Sequence, residues 1–108
     1  MKSFVRDATI RLKFRFHDAT GEIRNPTGAN VSISYLPHGD YADVTTVTYP
    51  LARVVGTNDW LYEWDSHVAK PCVITAHAET TDVPPVSAVD TQFRLTANAA
   101  NRDLVGEL

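Results

Sequence analysis

The stretch Ile10-Arg11-Leu12-Lys13-Phe14-Arg15-Phe16 decides the fold, because apolar and basic residues alternate along its whole length. Successive side chains of a β-strand point to opposite faces of the sheet, so this alternation indicates a strand with one buried face. The turn-forming residues Asp18-Ala19-Thr20-Gly21 then end the run. The stretch therefore predicts a strand that covers an apolar core.

The rest of the chain repeats this pattern in shorter runs, which turn-forming residues separate. The further predicted strands cover residues 31–35, 43–49, 51–55, 60–64, 72–78 and 89–95. About seven short strands, with no amphipathic helix before the C-terminal tail, are typical of a β-sandwich or barrel. We therefore expect one all-β domain over residues 1–108, with a core of about residues 8–96. Residues 1–7 are expected to form an N-terminal arm, and residues 97–108 either a short helix or a flexible tail.

Composition limits the classes of function. The chain has 108 residues, 44% hydrophobic and 21% charged, as in an ordinary globular protein. Its net charge of −3 lacks the basic excess with which nucleic-acid-binding proteins neutralise phosphates. Cys72 is the single cysteine, so synthesis in a reducing compartment is expected. The sequence has neither the ~20 consecutive apolar residues of a spanning helix nor the apolar start of a signal peptide. We therefore expect no nucleic acid and no membrane as partner.

Residues that could carry catalysis or bind a metal form no recognised pattern. The candidates are His17, His38, His67, His77, Cys72, Asp40, Asp43, Asp59 and Asp65. The histidine and cysteine spacings match no zinc motif, and the aspartates match no calcium loop. Cys72, at the start of an apolar strand, is expected to be a small buried hydrophobe. We predict no enzyme, no metal and no cofactor.

An aromatic stripe formed by Trp60, Tyr62 and Trp64 has two interpretations. It is either a surface platform on which sugars stack or the inward face of a central strand, where each ring buries about 150–250 Å². The alternation of these rings with Leu61 and Glu63 favours the core. Trp60, next to a turn, is the ring expected closest to the surface.

Two surface features are candidate partner-binding sites. The first is the basic stripe, formed by Arg11, Lys13 and Arg15 on the exposed face of the first predicted strand. Such charges either protect an edge strand from aggregation or dock on an acidic partner surface, and the sequence leaves both open. The second is the pair of termini, whose apolar residues would order on a neighbouring molecule if they act as docking arms. Those residues are Phe4, Val5, Leu104 and Val105.

The order of these features resembles a known family. After the first strand come Asp18-Ala19-Thr20-Gly21, Asn25-Pro26-Thr27 and Pro37-His38-Gly39, then Trp60-Leu61-Tyr62-Glu63-Trp64-Asp65, Lys70-Pro71 and Phe93-Arg94-Leu95. Over residues 8–96 this looks like the small immunoglobulin-like proteins that tailed bacteriophages encode among their virion genes. Cys72 stands where that family usually has a glycine, and the cysteine pair of antibody domains is absent.

The resemblance implies an immunoglobulin-like β-sandwich of about seven antiparallel strands. It also implies a non-catalytic virion protein, made in the cytoplasm of the host bacterium. The expected role is a head decoration or neck accessory protein, and the expected partners are capsid, portal, neck or tail proteins, or further copies of the chain. The alternative is a tail accessory, or a carbohydrate-binding module that recognises the host surface.

Overall fold

Eight β-strands make up the described part of the chain, which in this computed structural model comprises residues 1–82, 87–97 and 105–107. The strands are β1 (Lys2–Val5), β2 (Thr9–Phe14), β3 (Ala29–Tyr35), β4 (Thr45–Arg53), β5 (Trp60–Asp65), β6 (Val73–Thr80), β7 (Ala88–Thr96) and β8 (Val105–Glu107). Among these residues the one helical segment is a 3-10 turn at Ser66–Val68. The predicted all-β class is confirmed.

The strands form a curled sheet in the order β1-β7-β6-β3-β4-β5-β2-β8. Strand β4 connects its two halves, because residues 45–51 pair with β3 whereas Ala52 and Arg53 pair with β5. The result is a half-barrel that curls around one cluster of apolar side chains. This cluster draws on both halves of the sheet, so neither half has a core of its own.

The two terminal strands pair differently from the prediction. Strand β1 runs parallel to β7, and β8 runs parallel to β2, so the sheet is mixed and not wholly antiparallel. These segments have only four and three residues, too few for a period of two to be recognised. Residues 98–104 and 108 lie outside the described residues, and the predicted site residue Leu104 is among them.

The N-terminal segment, expected to be an arm outside the core, contributes the edge strand β1. Its four residues are in register with residues 93–96 of β7. Phe4 lies edge to face with Phe93, with ring centroids 5.6 Å apart. Burial of this ring anchors a segment that is too short to show alternation by itself.

The alternation that predicted β2 places its side chains as expected. Ile10, Leu12 and Phe14 are buried, and the basic residues between them are exposed. On the neighbouring strand Trp64 is also buried and lies edge to face with Phe93, with centroids 6.0 Å apart. Strands β2, β5 and β7 therefore meet in the same aromatic core.

The predicted strands 43–49 and 51–55 are one strand, β4, which continues through Pro50. Proline has no N–H to donate, so a strand tolerates it where that side of the backbone is unpaired. On the side of β4 away from β3, only Ala52 and Arg53 pair with another strand in the described part of the chain. Pro50 therefore marks an edge within the strand and not its end.

Candidate interaction surface

The basic stripe consists of Arg11 and Lys13 on β2 and Arg15 directly after this strand. Strand β8 pairs with Thr9, Ile10 and Arg11 alone, so in the described part of the chain β2 has an open edge beside Lys13, and protection of an edge remains a prediction. Arg11 Nε lies 3.4 Å from Glu63 Oε1, and Arg15 Nε lies 2.6 Å from Asp59 Oδ1. The hydrogen bond raises the pKa of Arg15 and lowers the pKa of Asp59. The stripe is thus part of a surface of mixed charge.

Glu63 and Asp59 partly neutralise the basic stripe, which weakens the case for docking through it. An acidic partner would compete with Glu63 and Asp59 for the same guanidinium groups. Exposed ion pairs are weak individually, so such competition is feasible. Docking through the stripe remains a prediction, but without the uncompensated charge that suggested it.

Both tryptophans lie in the core. Trp60 is 6% exposed and Trp64 is 1% exposed. Trp60 lies edge to face with Phe16, with ring centroids 6.4 Å apart. A ring enclosed in this way cannot stack on a sugar, so the core interpretation is confirmed and the surface platform is wrong.

The candidate metal ligands are dispersed. Within the described ranges no group of three or more histidine, cysteine or carboxylate side chains is placed to hold a metal ion. Asp59 accepts from Arg15, and Asp65 accepts from the backbone N–H of His67. Cys72 is partly buried and packs against the core. Each of these side chains therefore has a structural role.

His77 lies between two carboxylates on the β6–β7 hairpin. Its Nδ1 is 2.5 Å from Asp90 Oδ1, and its Nε2 is 3.2 Å from Glu79 Oε2. The hydrogen bond to Asp90, followed by that to Glu79, raises the pKa of His77. Because carboxylates accept hydrogen bonds at both ring nitrogens, the charged form of the imidazole is favoured, and neither nitrogen is free to take a proton from a substrate.

Three connections meet at one end of the sheet. We call this end the loop tip and define it as residues 6–8, 36–44 and 66–72. They join β1 to β2, β3 to β4 and β5 to β6. The loop tip therefore contains His38 and His67, which lie in separate connections.

Hydrogen bonds tie the three connections together. The His38 Nε2–H donates to the backbone carbonyl oxygen of His67 at 2.7 Å. His67 Nδ1 lies 3.1 Å from Asp7 Oδ1 in the first connection. The backbone N–H of Lys70 donates to the carbonyl oxygen of Leu36 at 3.0 Å. The loops thus form one surface, and the two histidines hold it together.

The loop tip presents an aromatic ring to solvent. Tyr41 is 100% exposed. Its φ of 60° lies in the left-handed region, which residues other than glycine rarely adopt. Asp7, also in the loop tip, has a φ of 70°. Val44 and Val68 add exposed apolar side chains. Unfavourable backbone conformations concentrate at functional sites, which makes this end the strongest candidate for binding.

The loop tip was not predicted from the sequence. The spacing of His38 and His67 indicated no chemistry, and the residues around each were expected in separate turns. One signal was present, because Tyr41 and Val44 are apolar residues within a segment of turn formers. Nothing in the sequence shows that connections so far apart along the chain meet in space.

The predicted terminal site residues lie in strands. Phe4 and Val5 are partly buried in β1. Val105 is in β8, in register with Thr9 at the start of β2. The structure therefore places the C-terminal segment beside the strand that carries the basic stripe, and places neither terminal strand in the loop tip.

Comparisons of the chain with protein-family models, curated proteins and solved structures give no match. No helix of the described residues has the length and apolar character needed to cross a membrane.

Proposed function

We propose that this protein is a non-catalytic structural protein of a bacteriophage virion, and that it attaches to other virion proteins through its loop tip. The role we favour is head decoration or neck attachment. The observation that carries the proposal is Tyr41, a fully exposed aromatic side chain on a loop with left-handed backbone. Tyrosine is enriched among the residues that dominate the binding energy of protein interfaces.

An immunoglobulin-like sandwich is the finer fold that we propose. In that fold the second strand pairs with the fifth, while the third, sixth and seventh strands form the opposite sheet. Here β2 pairs with β5, and β3, β6 and β7 are consecutive neighbours. This agreement, together with the sequence resemblance to phage immunoglobulin-like proteins, supports the assignment.

The use of the reactive side chains supports a non-catalytic role. His77 has a carboxylate on each ring nitrogen, and His38 and His67 hold loops together. Cys72 packs against the core. A catalytic site needs a nucleophile and a base within hydrogen-bonding distance, and these residues are engaged elsewhere.

Labelling of virus particles tests the location. Purified particles from a culture that makes the protein are treated with a gold-labelled antibody against the domain and viewed by electron microscopy. We expect gold over the whole head for a decoration protein, or at one vertex for a neck protein. Gold along the tail would indicate the tail accessory alternative. Unlabelled particles, with the protein detected in the lysate, would refute a virion role.

Reattachment tests the loop tip itself. Particles are incubated with fluorescent wild-type domain, the variant Tyr41→Ser or the control Val55→Ser. Val55 suits the control because it is 96% exposed and lies in the β4–β5 connection, at the other end of the sheet. We expect Tyr41→Ser to weaken binding about tenfold or more, with little effect of Val55→Ser. Equal binding of the two variants would remove the loop tip from the proposal.

Glycan binding loses its main support in this fold. The tryptophans that would stack on a sugar are buried. Soluble host-surface glycans in the reattachment assay provide the check. Competition by glycans would favour a host-recognition module over attachment to virion proteins.

A further inference from the structure

Strand β4 has an open edge. It pairs with β3 along residues 45–51, but on its other side the pairing with β5 involves Ala52 and Arg53 alone. Within the described part of the chain, the backbone of residues 45–50 therefore has no strand partner on that side. A row of unpaired N–H and C=O groups is a template on which another strand can add.

This edge lacks the charges that the other open edges carry. Residues 45–50 read TTVTYP, with no charged side chain and mostly residues that favour strands. By contrast β1 carries Lys2, the part of β2 without a β8 partner carries Lys13, the part of β7 without a β1 partner carries Asp90, and the unpaired part of β5 carries Glu63 and Asp65. Charged side chains on an edge strand oppose edge-to-edge association. Pro50 protects the end of this edge, so residues 45–49 are the part of β4 suited to pairing.

We propose that β4 pairs antiparallel with β4 of a second copy of this chain. Two-fold symmetry brings each such edge against itself, so a charged edge would meet like charges. An edge of threonine and valine avoids that repulsion. Strand β4 and the four strands beyond it, β3, β6, β7 and β1, would then continue into the same strands of the second copy as one sheet.

Three side chains along this edge lie on the faces of the sheet. The hydroxyls of Thr46 and Thr48 bond across to β3, at 2.8 Å to Ser34 and 2.9 Å to Ser32. Val47, of opposite parity, packs against the core. The threonine hydroxyls and the Val47 side chain thus lie on the two faces of the sheet and not across the backbone edge.

The expected dimer is weak. Pairing along these few residues of β4 should bury less surface than the lower limit of a standard interface, about 1,200 Å². We therefore expect a dissociation constant in the micromolar range. Antiparallel pairing also directs the two loop tips in opposite directions. The edge begins directly after the loop tip but does not include Tyr41, so dimerisation and attachment to particles are tested with separate variants.

Measurement of solution mass against concentration tests the proposal. We expect sedimentation velocity to show a mass that rises with concentration from 11.9 kDa to twice that value. The variant with Thr46→Lys and Thr48→Lys should stay monomeric across the same range. The control, with Ala88→Lys and Gln92→Lys, adds the same charge at exposed positions on β7, away from the edge, and should dimerise normally.

Hydrogen exchange on the unmodified chain gives a readout that does not depend on any variant folding. Among residues 45–49, the alternate amides that point away from β3 should become more protected as concentration rises into the millimolar range, and those that face β3 should not change. A chain that stays monomeric throughout would overturn the proposal. So would a dimer that survives the lysine substitutions in β4, or one whose protected amides lie elsewhere.

Discussion

Replacing Phe93 with alanine tests how the two halves of the sheet are held together. Phe93, on β7, is 0% exposed. Its ring lies edge to face with Phe4 of β1 and with Trp64 of β5, at 5.6 Å and 6.0 Å between centroids. One side chain therefore anchors an edge strand and also contacts the opposite half of the sheet.

The magnitude follows from these contacts. Truncating a buried phenylalanine to alanine costs about 3–5 kcal/mol. Each edge-to-face aromatic contact contributes about 0.5–1.5 kcal/mol beyond area burial. We therefore expect Phe93→Ala to lower the free energy of unfolding by about 4–5 kcal/mol, toward the upper end of the range for such truncations. Against a total stability of about 5–15 kcal/mol, this loss is between about a quarter and all of it.

Urea unfolding followed by tryptophan fluorescence measures the effect. With an m-value of about 2 kcal/mol/M, the midpoint should fall by about 2 M. Tyr41→Ala is the matched control, because its ring is fully exposed, and should change stability by less than about 0.5 kcal/mol. A loss below about 1 kcal/mol for Phe93→Ala would refute the packing described here.

Three further predictions concern the tryptophans, the basic stripe and His77. Emission from Trp60 and Trp64 should be blue-shifted and weakly quenched by acrylamide, and strong quenching would contradict their burial. Arg15→Glu removes the ion pair with Asp59 and should lower the melting temperature at low salt. At high salt the decrease in melting temperature should be smaller. A decrease that does not depend on salt would show that loss of the ion pair is not the cause. Because its pKa is raised in the folded state, His77 stabilises the fold fully below its unfolded pKa of about 6.5 and loses this as pH rises through the folded value. Melting temperatures across this window should fall less with pH in His77→Gln than in the wild type, and equal slopes would argue against the carboxylate contacts.

The sequence predicted those parts of the fold in which the type of each residue, apolar or charged, indicates whether its side chain is buried or exposed. Along β2 each apolar residue is buried and each basic residue is exposed, because a half-buried strand imposes a period of two on its side chains. The same parity placed Trp60 and Trp64 in the core. Such local signals were sufficient for the all-β class and for most strand positions.

The features that the sequence did not reveal depend on residues far apart along the chain. Strand β1 pairs with β7, and β8 pairs with β2, so the direction of each terminal strand is set at the opposite end of the chain. The loop tip likewise forms from three connections that meet in space. Counter-charges for the basic stripe come from the neighbouring strand β5 and the turn before it, which the pattern within β2 could not indicate.

The directions of the terminal strands give the molecule a polarity. Strand β1 runs toward the loop tip, so Met1 lies at its far end, while β8 begins beside Thr9 near the loop tip and runs away from it. A bead, sensor surface or fused protein attached at the N-terminus would therefore lie behind the domain, with Tyr41 facing the medium. Immobilisation through an N-terminal tag should thus display the loop tip with its access intact.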